Sequence, residues 1–79
     1  MKVSGVPSTP PAGTTVCVTV KGAQGNVAAT GEGSVRVLSV TQSSSKPSEW
    51  IVCIQIGLGM GTLSIDCNDD STTLTVRGR

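Results

Sequence analysis

Closely spaced glycines at residues 57–61 (GLGMG) are the first candidate for chemistry, because such segments can wrap backbone amides around a phosphate group. A dinucleotide-binding loop has the spacing GxGxxG and leads into a helix whose N-terminus holds the anion. Here the spacing is GxGxG, and residues 62–67 alternate like a strand. The glycines therefore indicate a bend, a bulge or a place where another backbone approaches closely.

Asp66, Asn68 and Asp70 place oxygen ligands at every second position, as the first part of a calcium-binding EF-hand loop does. The later positions do not fit that loop. Ser71 stands where it needs glycine, and Arg77 stands where it needs a bidentate glutamate. Asparagine and aspartate also stabilise turns through hydrogen bonds to the nearby backbone. We interpret this segment as a turn and expect no metal ion or cofactor.

The three cysteines are Cys17, Cys53 and Cys67. Their spacing is wide and the chain has no histidine, so they do not form a standard zinc site. Cys67 shares the face of Leu63 and Ile65, which predicts a buried thiol. Cys17 and Cys53 face away from the apolar rows of their strands, where they could form a disulfide across strands or between subunits. Because we expect the chain to be synthesised in the cytosol, we expect its thiols to be reduced.

Enzymatic chemistry has few residues to use in this chain. There is no histidine or tyrosine, and only five carboxylates are present. General acid–base catalysis depends on such groups. We therefore expect no enzymatic activity, no catalytic residues and no small-molecule substrate. Trp50, the only aromatic residue, is expected to pack in or beside the core, since sugar and single-strand binding use several aromatic platforms.

Charge and hydropathy exclude other classes of partner. The net charge is +1 and only 14% of residues are charged, so there is no basic stripe for nucleic acid. The N-terminal residues lack the apolar region of a secretory signal, and no apolar run reaches membrane-spanning length. We expect synthesis in the cytoplasm and no membrane association.

Period-two alternation of Val, Ile and Thr predicts strands and no helix. Residues 50–67 are the densest apolar segment, and we predict two strands there, joined at the glycines. Apolar parity changes within residues 34–41, which indicates a β-bulge or burial on both faces. The expected fold is an all-β, small antiparallel sandwich or barrel of about five to six short strands. Strands are predicted at residues 14–20, 27–30, 34–41, 50–56, 62–67 and 72–77.

Residues 1–13 are rich in Pro, Ser and Gly, which excludes a helix and predicts an extended N-terminal arm. Residues 14–79 are predicted to form a single small β-domain. The aliphatic core of this domain is thin for its length. We therefore expect that other subunits cover part of its surface, and that the arm lies on a neighbouring subunit.

The arm at residues 4–13 and the Val/Thr strands at residues 16–20 and 72–76 resemble the small capsid decoration, or cement, proteins of tailed bacteriophages. The resemblance implies a non-enzymatic virion protein, made in the host cytoplasm, that binds late between capsomers. It also implies the major capsid protein or another shell subunit as partner, and a homo-oligomer, with a trimer favoured. Another phage structural subunit (tail, fibre or connector) and an immunoglobulin-like or carbohydrate-binding module remain as alternatives.

Partner contacts are expected on the arm, on the outward face of the strand at residues 50–56, and on the basic tail. Deletion of residues 1–13 is expected to weaken binding to the particle and to leave the β-domain folded. The expected contact residues are Pro7, Pro10, Pro11, Ile51, Cys53, Arg77 and Arg79.

Overall fold

A computed structural model describes residues 1–7, 9–68 and 70–79. Ser8 of the predicted arm and Asp69 of the predicted turn lie outside the described residues. All strand pairs are antiparallel, which confirms the predicted all-β antiparallel fold. No helix of the described part has the length and hydropathy needed to cross a membrane. The strands are β1 (Lys2–Ser4), β2 (Thr15–Lys21), β3 (Val27–Gln42), β4 (Trp50–Cys67) and β5 (Asp70–Gly78).

The central strand is β4. One of its sides pairs with β3 along almost the whole length. Its other side pairs first with β2, through residues 50–55, and then with β5, through residues 59–67. β1 extends the sheet beyond β2, so the order is β1-β2-β4-β3, with β5 also on β4. The strand with the densest apolar pattern thus has neighbours on both sides along most of its length.

β4 and β3 bend sharply together, and neither is interrupted. A straight strand of the length of β4, 18 residues, would span about 55–60 Å at the usual rise per residue. The longest dimension of the molecule is only 33 Å. At the bend, Gly33 lies opposite Gly61 and Val35 lies opposite Ile56, so residues 57–60 of β4 face the single residue Ser34. The extra residues form an irregularity that turns both strands.

The prediction of two strands within residues 50–67 is therefore wrong, as is the separation of residues 27–30 from residues 34–41. That prediction assigns the glycines to connections between separate strands. In the structure Gly33 (φ +65°) and Gly59 (φ +103°) adopt backbone angles that favour glycine, while hydrogen bonding to neighbouring strands continues on either side. Because the partner strand bends at the same place, the ladder resumes beyond the glycines and the strands stay continuous.

The inner faces of both halves of the bent sheet form one hydrophobic core. The buried residues confirm the alternation before and after the bend, in the rows Trp50, Val52, Ile54, Ile56 and Leu63, Ile65, Cys67. Each fully buried aliphatic side chain contributes about 1.5–3 kcal/mol. The core residues are Val18, Val20, Ala23, Val27, Val35, Trp50, Val52, Ile54, Ile56, Leu63, Ile65, Cys67 and Val76.

A second irregularity in β3 confirms the bulge predicted from the change of parity. The register with β4 shifts between Val37 and Ser39, and Leu38 has no opposite residue. Val37 before the shift and Val40 after it both pack against the core. The bulge lets both valines face inward although their positions differ by an odd number. Leu38 is left half-exposed.

The predicted arm lies on the chain's own sheet. Lys2–Ser4 pairs with the end of β2. The Ala12 amide donates to the Arg79 carbonyl at 2.6 Å, and the Arg79 amide donates to the Pro10 carbonyl at 3.0 Å. The Gly13 amide donates to the carbonyl of Ile56 at 2.7 Å, at the place on β4 between the residues paired with β2 and those paired with β5. The arm satisfies backbone groups that the sheet edges would otherwise expose, so part of residues 1–13 belongs to the same sheet as the predicted domain.

Candidate functional site

Cys17 and Cys53 lie directly opposite each other on β2 and β4, with their Cα atoms 4.0 Å apart, and they form a disulfide. The sequence allowed a disulfide between strands of one chain or between subunits, and the structure contains the bond between strands of one chain. The preference for reduced thiols is wrong at these two positions, because strand register places their side chains together on the outer face. Cys67 is a free thiol and is buried, as predicted.

The glycine segment at the bend carries two exposed apolar side chains. Leu58 is 80% exposed and Met60 is 60% exposed. Gly59 separates them, and its carbonyl accepts a 2.9 Å hydrogen bond from the Ser34 hydroxyl. Since the core lies inside the bend, we call Leu58 and Met60 on its outer side the apolar corner. The predicted bend or bulge is confirmed, and the segment continues as a strand beyond it.

The apolar corner separates two shallow depressions. One, of about 410 Å³, is lined by residues that include Leu58 and Arg36. The other, of about 240 Å³, is lined by residues that include Met60 and Glu32. Arg36 and Glu32 are exposed on β3, and neither forms an ion pair with another residue that the structure describes. On β3 the corner therefore has Arg36 on the side of Leu58 and Glu32 on the side of Met60, and Arg77 of β5 lies opposite Met60.

Asn68 and Asp70, which follow β4, contact other residues of the same chain. The Asn68 side-chain amide donates to the Gln24 carbonyl at 2.6 Å, and the Asp70 carboxylate lies 3.0 Å from the Met1 ammonium group. Asn68 has φ +53°, a backbone angle common for asparagine in turns. Within residues 1–7, 9–68 and 70–79, no three His, Cys, Asp or Glu side chains gather as potential metal ligands. The described groups act here in turn formation and in holding the chain's first residue.

Trp50 is 9% exposed and packs in the core, as the sequence predicts. Its indole N–H is buried and has no hydrogen-bond partner among the described residues. A ring in this position has no free face on which a sugar or a base could stack.

The predicted contact residues lie in three separate places. Pro7 and Pro11 are exposed, whereas Pro10 is buried. Ile51 and Cys53 are on the outer face of β4, and Ile51 is 42% exposed. Arg77 and Arg79 have exposed side chains at the end of the chain. The structure brings Pro10 and Arg79 together through backbone hydrogen bonds, and it places Arg77 opposite Met60.

The sequence interpretation did not identify the apolar corner. Leu58 and Met60 have the same parity as the buried Ile54 and Ile56, so simple alternation would place them in the core. Only the pairing at the bend shows that the inward-facing residues change there from even-numbered to odd-numbered positions. The one available signal was the glycine on either side of each apolar residue, which is unusual within a buried strand.

No protein-family model matches this chain, and neither a curated protein nor a solved structure matches it.

Proposed function

We propose that this protein is a non-catalytic assembly subunit, and specifically a virion structural protein that decorates a phage capsid by binding between capsomers. The observation that carries the assembly role is the apolar corner. The specific role as a cement protein rests on the resemblance of the arm and the Val/Thr strands to that family. The partner under this proposal is the major capsid protein or another shell subunit.

The apolar corner supports binding because two large apolar side chains are held in water at a constrained position. Exposed apolar patches bordered by polar residues commonly mark protein contacts. The Ser34–Gly59 hydrogen bond and pairing on both sides of the segment fix the backbone that carries them. A preformed contact loses little conformational entropy on binding, which leaves more of the burial energy for affinity.

The structure changes the mechanism expected for the arm. Residues 10–13 are hydrogen-bonded to Arg79 and to Ile56 of the same chain, so they are not available to reach a neighbour in this conformation. We therefore assign the main contact to the apolar corner, with Ile51 and the exposed Arg77 as further contacts. Several such contacts on a repeating lattice convert modest affinity per site into durable attachment.

The alternatives differ in support. A tail, fibre or connector subunit would use the same kind of surface and shares the argument from the apolar corner. A carbohydrate-binding module loses its main candidate, because Trp50 is buried. An immunoglobulin-like binding module needs an outer surface for its ligand, and the corner would serve it equally. Binding to assembled shells would distinguish the cement role from these other roles.

Co-sedimentation tests the proposal with capsids of the source virus that lack this chain. We expect the wild-type chain to pellet with mature shells, and the variant L58S/M60S to bind roughly tenfold or more weakly, since two exposed apolar contacts are removed. The matched control is L38S, which removes a half-exposed leucine at the other bulge of β3. Absence of binding to both immature and mature shells would refute the cement role, and equal loss in L38S would remove the corner from it.

A further inference from the structure

Two residues of opposite charge flank the apolar corner on β3. Glu32 and Arg36 lie two residues before and two residues after Ser34, whose hydroxyl is bonded to the Gly59 carbonyl between Leu58 and Met60. Arg36 borders the depression that contains Leu58, and Glu32 borders the depression that contains Met60. On the β3 side the order across the corner is thus cation, leucine, methionine, anion, and Arg77 lies on the β5 side, opposite Met60.

We infer that the apolar corner is a two-fold contact between two copies of this chain. A two-fold axis through the region of Ser34 and Gly59 would place Leu58 of one copy against Met60 of the other. The same rotation would place Glu32 of each copy beside Arg36 of the other. Such an isologous contact needs a surface that complements itself, and both the apolar and the charged residues here meet that requirement.

The features of the isolated chain favour this occupant over an unrelated protein. Glu32 and Arg36 have no ion-pair partner in the part of the chain that the structure describes, and a second copy supplies one for each. Among the residues that the structure describes, Leu58 and Met60 are the most exposed large apolar side chains, and the contact would cover both. A second copy would cover the same two side chains that are assigned to the shell contact, so dimerisation and shell binding would compete for the apolar corner. The inference favours a dimer over the trimer that the family resemblance implies.

Charge reversal gives a test specific to a two-fold contact. Sedimentation velocity over a concentration series is expected to show a monomer–dimer equilibrium for the wild-type chain. The variants E32R and R36E each create two like-charged pairs in the dimer, so each is expected to dimerise roughly tenfold or more weakly. An equimolar mixture of E32R with R36E is expected to form a heterodimer, since every pair in it is again of opposite charge.

Two controls accompany the reversal. L58S/M60S is expected to abolish the dimer, with folding checked by Trp50 fluorescence. R77E changes the charge opposite Met60, where the two-fold arrangement supplies no acidic partner, and is expected not to weaken dimerisation. A wild-type chain that stays monomeric at about 1 mM would overturn the inference, since this limit corresponds to an association of only about 4 kcal/mol. A trimer, or a dimer whose reversed variants are not rescued by mixing, would also overturn it.

Discussion

Trp50 combines a large apolar ring with a polar atom that the fold leaves unsatisfied. The ring is 9% exposed, and its indole N–H has no partner among the described residues. A buried donor without a hydrogen bond costs about 1–3 kcal/mol, while the burial of the ring stabilises the core. The apolar ring of Trp50 therefore contributes more to the stability of this core than its N–H group does.

The first prediction follows from this separation of ring and donor. Replacement W50F is expected to lower the free energy of unfolding by only about 1 kcal/mol, because loss of the unsatisfied donor offsets part of the lost volume. W50A is expected to lower it by about 3–5 kcal/mol, because it leaves a cavity. Urea unfolding followed by far-ultraviolet circular dichroism measures both variants. Equal losses would show that the indole N–H is satisfied in solution.

A covalent bond holds β2 to β4 in addition to their backbone pairing. The disulfide joins residues 36 apart in the sequence and lies on the outer face, away from the core. Removing it should therefore change the entropy of the unfolded chain more than the packing of the folded one.

The second prediction concerns this bond. The variant C17S/C53S is expected to lose about 3–4 kcal/mol of unfolding free energy, as loop-closure entropy for a loop of this length implies. Chemical denaturation with and without reductant measures the loss. Reductant should destabilise the wild-type chain and the variant C67A, and should leave C17S/C53S unchanged. A wild-type chain insensitive to complete reduction would contradict the stabilising role.

Residues near both ends of the chain are hydrogen-bonded to each other and to the sheet. Residues 10–13 bridge from β2 to Arg79, and β1 covers the end of β2. Met1, Val3 and Val6 pack against the core, and Pro10 is buried. The N-terminal residues are therefore structural in this chain.

The third prediction replaces the expectation that residues 1–13 can be removed without harm to the domain. Their deletion is expected to lower the unfolding free energy by about 3 kcal/mol or more, because partly buried apolar side chains are lost and backbone groups are exposed. Thermal unfolding and amide hydrogen exchange at β2 measure this. The control P7S changes an exposed proline and is expected to stay within about 0.5 kcal/mol of the wild-type chain. An unchanged melting temperature after the deletion would show that the arm is independent of the domain.

Alternation in the sequence was enough to predict the all-β class, the bulge in β3 and the burial of Cys67. These follow from alternation, which depends only on the geometry of a single strand. It could not distinguish a glycine connection from a glycine bend, because both relieve the same steric restriction at residues 57–61.

Which strands are neighbours depends on the fold of the complete chain. Pairing of β2 with β4 placed Cys17 opposite Cys53, and pairing of β3 with β4 exposed Leu58 and Met60 at the bend. Contacts between residues far apart in the sequence depend on how the whole chain satisfies its backbone and buries its apolar faces together. No local pattern contains that information, and the candidate site is built from such contacts.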